Sequence, residues 1–398
     1  MRVIVVCPSP PSTPLSSGKA GEEGGLEGGE GHTTMTLIFT VLLVALVFEY
    51  IYGFHDTANS IATVVSTKVL TPRQAVVMAA ATNLVGALWG TAVAKTIASG
   101  LVDAKIVTSE ILVCALLGAI VWDLLTWWVG LPSSSSHALV GGLCGACLAA
   151  AHNHWGVIVW SIPGREHWWE GKGILWKVIL PMITSPVCGF VVGFLLMGSL
   201  YFLLRHWRPV RVNRVFSKLQ LVSAAYMGFS HGTNDAQKTM GIIALALAAA
   251  TSGGIFNNLP DWLGFLHTPE PPPGKSLEIA VWIKVVCALT MCAGTAAGGW
   301  RIIRTLGHKM VKLHPVNGFA AEATGASVLL VAAHFGMPVS TTHAITTSIM
   351  GVGCAKGFNA LKLQVVERII WAWLLTIPAS GLIAYGLVRL ARGAGWLG

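Results

Sequence analysis

Long apolar stretches, separated by short basic or Gly- and Pro-rich segments, recur along the chain from Met35 onward. Most have the length of roughly twenty residues that an α-helix needs to cross about 30 Å of hydrocarbon. The pattern predicts an all-α integral membrane protein with about ten transmembrane helices, or up to about twelve, some of them re-entrant hairpins. The expected spans are residues 36–54, 74–98, 108–130, 137–152, 174–204, 219–250, 278–300, 318–336, 343–356 and 369–390.

Composition excludes several classes of protein. Only 11% of the 398 residues are charged and 54% are apolar, whereas a soluble domain has roughly 25% charged residues. The net charge of +9 does not predict a nucleic-acid partner, because the basic residues lie in short loops between spans. Cys144 and Cys147 form a CxxC without a second pair, so we expect the cysteines to fill apolar space and predict neither a metal site nor a cofactor.

Polar segments divide the chain. Residues 1–34, rich in Pro, Ser and Gly, are predicted to be a disordered N-terminal tail. Segment 205–218 has five basic residues and no acid, which predicts a cytoplasmic linker between two halves, 35–204 and 219–398. Within the second half, 251–277 is expected to be a polar outer loop.

Two short motifs each occur twice, in the same order. GFHDTANS at 53–60 is echoed by GTNDAQKT at 232–239, and PSSSSH at 132–137 is echoed by PVSTTH at 338–343. An odd number of predicted crossings separates the copies, so the halves are expected to have opposite orientation. Such inverted-topology repeats are typical of secondary transporters, which bind substrate near the midplane at the repeat interface.

The first motif puts charged side chains inside predicted spans. At helical spacing Asp56 shares a face with Asn59, and Asp235 shares one with Lys238. Charges within a membrane are costly and mark substrate or ion paths, although an Asp can also bond a neighbouring helix. Lys238 either neutralises a bound anion or replaces a bound cation. Glu49, on the face of Asp56, is a candidate proton carrier or a partner in a helix–helix hydrogen bond.

The second motif predicts a broken helix and a new helix N-terminus. A proline followed by hydroxyl residues leaves backbone N–H groups where the helix dipole favours an anion. Short hydroxyls suit a tetrahedral oxyanion, or they simply cap the helices. The following histidines, His137 and His343, are expected to hydrogen-bond within these hairpins. The hydroxyl residues are Ser134, Ser135, Ser136, Ser340, Thr341 and Thr342.

Taken together, GFHDTANS, LPSSSSH, FSHGTNDAQK and MPVSTTH resemble the inorganic phosphate transporter (PiT) family, and most closely its bacterial low-affinity branch. The resemblance covers essentially everything after Met35. It implies a symporter, not an enzyme, that imports inorganic phosphate, partly as a metal–phosphate complex, across the bacterial cytoplasmic (inner) membrane, and that pairs as a homodimer in the lipid bilayer. It also implies phosphate binding between Asp56, Asn59, Ser135, Ser136, Asn234, Asp235, Thr341 and Thr342. The coupling-ion candidates are Glu49, Asp56, Asp235 and Lys238.

Departures from the family pattern bear on the coupling cation. Sodium-driven members resemble one another in repeating Ala-Asn-Asp-Val-Ala-Asn, whereas this chain has His55, Gln237 and Lys238 at three of the corresponding positions. The departures favour protons over sodium. Sodium-coupled phosphate symport and a sulfate permease of the same family are the alternatives. An intramembrane serine protease needs an activated nucleophile with an oriented base and gives no reason for the inverted duplication. A channel is a third option, but paired broken helices around a central site fit a carrier better.

Overall fold

The computed structural model describes residues 27–103, 106–164, 171–257, 259–269, 277–306 and 310–396. Within these ranges the chain is helical, and β-structure is limited to two isolated bridges, Val102 with Ile158 and Ile162 with Lys172. The helices are α1 Glu27–Ser66, α2 Pro72–Ala87, α3 Ala92–Ser99, α4 Ser109–Val129, α5 Ser135–Ala150, α6 Leu180–Leu203, α7 Pro209–Ser252, α8 Val281–Ala297, α9 Trp300–Arg304, α10 Pro315–His334, α11 Thr341–Cys354 and α12 Leu363–Gly393.

The structure confirms an all-helical protein with several apolar helices in the described ranges, but it does not confirm the number of about ten spans. Five helices in the described ranges are long and apolar enough to cross a membrane, or six if the bent pair α2 and α3 forms one span. The five are Met35–Ser66, Ser109–Val129, Leu175–Leu203, Pro315–His334 and Leu363–Gly393. Two further apolar helices, α5 and α8, are shorter. The count of about ten is therefore not confirmed for the described residues, where several apolar runs of the sequence form short or bent helices.

Local sequence sets several helix ends. Thr71 and Gln74 form a capping box at the start of α2, where Pro72 occupies the first turn and needs no hydrogen-bond acceptor. At the C-terminal end of α4, Gly130 adopts φ +73°, and its N–H donates hydrogen bonds to carbonyl oxygens of the last turn. This left-handed conformation favours glycine and ends the helix.

The expected span 74–98 is bent by 69° between α2 and α3. Gly90 takes φ +80° in the break, a conformation that a side chain disfavours. The Gln237 side chain of α7 accepts a hydrogen bond of 2.9 Å from the backbone N–H of Val93, in the first turn of α3. A distant helix therefore supplies the cap that the sequence of α3 lacks.

Two helices begin within the polar segments of the chain. α1 begins at Glu27, within the predicted tail 1–34, and residues 1–26 lie outside the described ranges. α7 begins at Pro209 and takes in most of the basic segment 205–218, the predicted linker. Proline at the first helical position favours this early start. Within 251–277, the predicted outer loop, Asp261–Leu266 forms a 3₁₀ helix.

Helices α1 and α7 lie side by side, and each is also packed against helices of the other half. α1 packs on α4 and α8, α7 packs on α10 and α2, α5 packs on α12, and α11 packs on α6. These contacts form three corresponding pairs: α1 on α4 with α7 on α10, α1 on α8 with α7 on α2, and α5 on α12 with α11 on α6. The contact of α1 with α8 requires glycine, because a Cβ on Gly294 would lie 2.2 Å from the carbonyl oxygen of Tyr50.

Candidate functional site

Both Asp motifs lie in buried middle portions of continuous helices. Asp56 of α1 and Asp235 of α7 are 2% and 0% exposed. Since both motifs are helical, residues three and four positions after each Asp lie on its face, as predicted. The carboxyl groups therefore project from two neighbouring helices into protein rather than into solvent.

Both hydroxyl motifs start new helices, as predicted. α5 begins one residue after Ser134, and α11 begins one residue after Ser340. The side-chain oxygen of each serine accepts a 3.2 Å hydrogen bond from the backbone N–H of the histidine in the first turn. These two serines are thus N-caps, whereas the hydroxyls that follow remain available for other partners.

One hydroxyl brings the two Asp carboxylates together. Thr341 Oγ1 donates to Asp235 Oδ2 at 2.8 Å and lies 3.4 Å from Asp56 Oδ2. Ser135 Oγ lies 3.4 Å from the other oxygen of Asp56, Oδ1. The first turn of α11 therefore contacts both carboxylates and the first turn of α5 contacts that of Asp56. The N-terminal N–H groups of a helix attract negative charge.

Asn59 connects this group to the second hydroxyl of α11. Its Nδ2 donates to Thr341 Oγ1 at 3.1 Å and to Thr342 Oγ1 at 2.9 Å. Asn234 lies to one side: Nδ2 donates to the carbonyl of Met337 at 3.3 Å. Its buried Oδ1 has no hydrogen-bond partner among the described residues. Of the eight residues expected to bind phosphate, only Asn234 makes no described hydrogen bond to another member or to Lys238.

Lys238 is buried beside the carboxylates. It also contacts Ser136, another of the eight residues expected to bind phosphate. Its ammonium lies 2.5 Å from Asp235 Oδ1, 2.5 Å from Ser136 Oγ and 2.9 Å from the hydroxyl of Tyr52. A fourth oxygen, the carbonyl of Val339, is 2.9 Å away. The charge of Lys238 therefore offsets that of Asp235.

Two histidines adjoin the two aspartates. His55 Nδ1 lies 2.7 Å from Asp56 Oδ1, and His231 Nε2 lies 3.1 Å from Asp235 Oδ2. One ligand atom from each of Asp56, His231 and Asp235 lies within 4.8 Å of the others. The sequence interpretation did not include His231, and these three side chains can hold a cation between α1 and α7.

The Glu49 carboxylate joins α1 to α7. One of its oxygens accepts a hydrogen bond from Thr239 Oγ1. The other oxygen, Oε1, is buried and has no hydrogen-bond partner in the part of the chain that is described. A helix–helix hydrogen bond is one of the two roles predicted for Glu49. The oxygen without a partner stays open for the second predicted role, that of a proton carrier.

The sequence interpretation missed two further buried acids. Glu322 of α10 accepts hydrogen bonds from Thr63 at 2.5 Å, from Gln220 at 3.1 Å and from Ser223. Asp123 of α4 is buried, and neither of its oxygens has a hydrogen-bond partner among the described residues. Both are ionisable residues within expected spans, and that signal alone marks candidates for functional roles.

The imidazole rings of the hydroxyl motifs meet each other. His137 and His343 pack edge to face with ring centroids 4.8 Å apart, and Trp373 lies 4.0 Å from His343. Neither ring nitrogen of His343 has a hydrogen-bond partner in the described ranges. The described hydrogen bond of His343 within its hairpin is made by its backbone N–H and not by its ring.

Comparison with known proteins identifies the family. The model of the Phosphate transporter family matches residues 52–384. The chain belongs to this family. It is therefore a membrane transporter and not an enzyme, as the motifs imply.

Curated relatives match nearly the whole chain. A probable low-affinity inorganic phosphate transporter of Bacillus subtilis is 41% identical over 89% of this chain and 98% of its own length. One of Mycobacterium tuberculosis H37Rv is 42% identical over 90% of this chain and 79% of its own length. A solved structure described as the sodium-dependent phosphate transporter has a TM-score of 0.73, at 23% identity, over 90% of this chain and 99% of that one. This likeness shows the fold.

The geometry around Ser135 is not that of a hydrolase. Ser135 Oγ and Asp56 Oδ1 both contact the same nitrogen of His55, Nδ1, at 3.4 and 2.7 Å. The other nitrogen, Nε2, faces Thr126 at 3.2 Å. A catalytic triad needs the nucleophile and the carboxylate on opposite nitrogens of the imidazole. The membership of a transporter family agrees with this geometry.

Proposed function

We propose that this chain is a secondary active symporter that imports inorganic phosphate together with protons across the bacterial cytoplasmic membrane. The observation that carries the proposal is the bridge at Thr341, whose hydroxyl at the start of α11 contacts Asp56 and Asp235. The site thus combines hydrogen-bond acceptors from both halves with the N–H donors of two helix starts. Phosphate binds between these groups in the proposal, through the eight residues that the family resemblance implies.

Acceptors and donors together suit phosphate better than sulfate. Phosphate carries protons near neutral pH and can donate hydrogen bonds to Asp56 and Asp235, while its other oxygens accept from Ser135 and Thr342. Sulfate carries no proton at that pH and therefore offers the two carboxylates no hydrogen-bond donor. The printed names of the relatives, low-affinity inorganic phosphate transporters, also support this substrate.

Proton coupling is supported by titratable groups that touch the site. His55 contacts Asp56, and His231 contacts Asp235. Glu49 accepts a hydrogen bond from Thr239, the α7 residue that follows Lys238. Sodium coupling is the second candidate, favoured by the grouping of Asp56, His231 and Asp235. The same grouping suits a divalent ion entering as a metal–phosphate complex.

Alternating access follows from inverted halves. The matched packing of α5 on α12 and α11 on α6 supports two repeats with the site at their interface. Large apolar side chains are exposed on α6 and α12, including Phe202, Leu203 and Leu382. These faces suit lipid or a second copy of the chain, consistent with a multi-pass protein and a homodimer.

Uptake of radiolabelled phosphate into proteoliposomes tests the proposal. Proton and sodium gradients are imposed independently, with sulfate as competitor and with magnesium added or chelated. Uptake driven by the proton gradient, abolished by Asp235→Asn and unaffected by Asp261→Asn, is the expected result. Asp261 is exposed in the outer loop and is the matched control. Sulfate uptake without phosphate uptake contradicts the substrate, and uptake that needs sodium contradicts the coupling ion.

A further inference from the structure

The ammonium group of Lys238 is enclosed by oxygen atoms from four separate segments. We call the oxygen shell the set of Asp235 Oδ1, Ser136 Oγ, the Tyr52 hydroxyl and the Val339 carbonyl, which lie 2.5, 2.5, 2.9 and 2.9 Å from Nζ. They come from α7, α5, α1 and the segment before α11. An ammonium group has three hydrogens to donate, so the shell offers more oxygens than it can bond individually.

The chemistry of the shell is that of a cation site. Carboxylate, hydroxyl and carbonyl oxygens converging on one point are the ligands that hard metal cations take in proteins. The shell is also compact, since Ser136 Oγ lies 2.7 Å from the Tyr52 hydroxyl and 3.3 Å from the Val339 carbonyl. Lys238 is 1% exposed, so its charge is held inside the protein and not in water.

The two copies of the motif differ at this position. Asn59, the counterpart of Lys238, is neutral and donates to Thr341 and Thr342. Lys238 instead contacts one oxygen of Asp235, while the other oxygen of Asp235 accepts from Thr341. A single carboxylate thus links the fixed positive charge to the site proposed for phosphate.

We propose that the ammonium of Lys238 takes the place of a dissociable coupling cation in the oxygen shell. This inference rests on the proposed symport function and specifies its coupling. A covalently attached cation supplies the positive charge that the site needs for an anion, but it stays in the protein through every cycle. Transport at this shell therefore requires no sodium, and removal of the ammonium creates a cation site.

Two substitutions separate this role from a structural one. Lys238→Asn removes the charge and leaves room and an additional oxygen for sodium. Lys238→Met removes the charge but fills the space with an apolar chain of similar length. Lys218→Asn, at an exposed position of the same helix, is the matched control. Phosphate uptake and thermal unfolding are measured in sodium chloride and in choline chloride.

We expect wild type and Lys218→Asn to be indifferent to sodium in both measurements. Lys238→Asn should lose uptake in choline and regain it in sodium, with a stimulation of about tenfold, and sodium should raise its Tm by about 2 °C or more. Lys238→Met should be inactive in both salts, with no effect of sodium on its Tm.

The inference is overturned if sodium raises the Tm of Lys238→Asn no more than that of wild type, or if this variant transports normally in choline. Should Lys238→Asn fail to fold, Lys238→Ala is judged by the same criteria. The Tm comparison does not depend on uptake. Absence of phosphate uptake by wild type therefore contradicts the proposed function alone, while the sodium-dependent shift in Tm still decides the role of Lys238.

Discussion

Thr341 and Asp235, 106 positions apart in the chain, are joined by a hydrogen bond of 2.8 Å from the Thr hydroxyl to Oδ2. The same hydroxyl lies 3.4 Å from Asp56 Oδ2. The start of α11 is thereby held against both Asp-bearing helices. In the proposed function, an anion bound beside this hydroxyl contacts both halves of the protein at once, because Asp56 belongs to the first half and Asp235 to the second.

Two replacements of Thr341 distinguish the contribution of its hydroxyl group from that of its side-chain shape. Thr341→Val removes the donor to Asp235, and we expect the apparent KM for phosphate to rise about tenfold, the effect of losing about 1.4 kcal/mol of hydrogen bonding to a charged group. Thr341→Ser keeps the hydroxyl and should stay close to wild type. Concentration-dependent uptake into proteoliposomes measures both. Equal kinetics for Val and Ser would argue against a role of this hydroxyl in the site.

Glu49 tests proton coupling. Glu49→Gln removes the titratable group, so uptake driven by a pH gradient should fall at least about tenfold, within the range typical of a lost proton-transfer group. Exchange of internal for external phosphate needs no net proton movement and should persist. Thr239→Val removes the hydrogen bond to Glu49 but keeps the carboxyl group, and it should retain gradient-driven uptake. Loss of exchange in Glu49→Gln would indicate a structural role instead.

Glu322 is expected to contribute to stability by joining three helices. Its carboxylate accepts from Thr63 of α1 and from Gln220 and Ser223 of α7. In Glu322→Gln an NH₂ group replaces one acceptor, and the mismatch should cost about 1–3 kcal/mol of unfolding free energy. Thermal unfolding in detergent measures the loss. Glu367→Gln, at an exposed position of α12, is the control, and an equal Tm for the two variants would contradict the prediction.

Close packing of α1 on α8 depends on a missing side chain. A Cβ on Gly294 would meet the Tyr50 carbonyl oxygen at 2.2 Å, so Gly294→Ala should push the helices apart and cost about 1–3 kcal/mol. Gly386 of α12 has no atom within 4 Å of its would-be Cβ. Gly386→Ala should therefore be neutral or slightly stabilising. Thermal unfolding of the purified variants checks both, and a stable Gly294→Ala would refute the close approach.

Part of the site could be predicted because its signals are local. Apolar run length predicts helices, and a Pro followed by Ser or Thr predicts the starts of α5 and α11. The duplicated motifs point to Asp56 and Asp235 without any knowledge of packing. The same local signal, an ionisable residue in an apolar run, is present at Asp123 and Glu322, but it names no partner.

Only the tertiary structure decided which residues of the site contact one another. Helical periodicity tells which residues share a face, but which faces meet depends on how distant helices pack together. Thus Lys238 meets Tyr52 and Ser136, residues 186 and 102 positions away. Likewise, the bend between α2 and α3 is capped by Gln237 of α7. The sequence by itself determined the helices and the duplicated chemistry, whereas only the packing of the two halves decided which donors, acceptors and charges share one buried site.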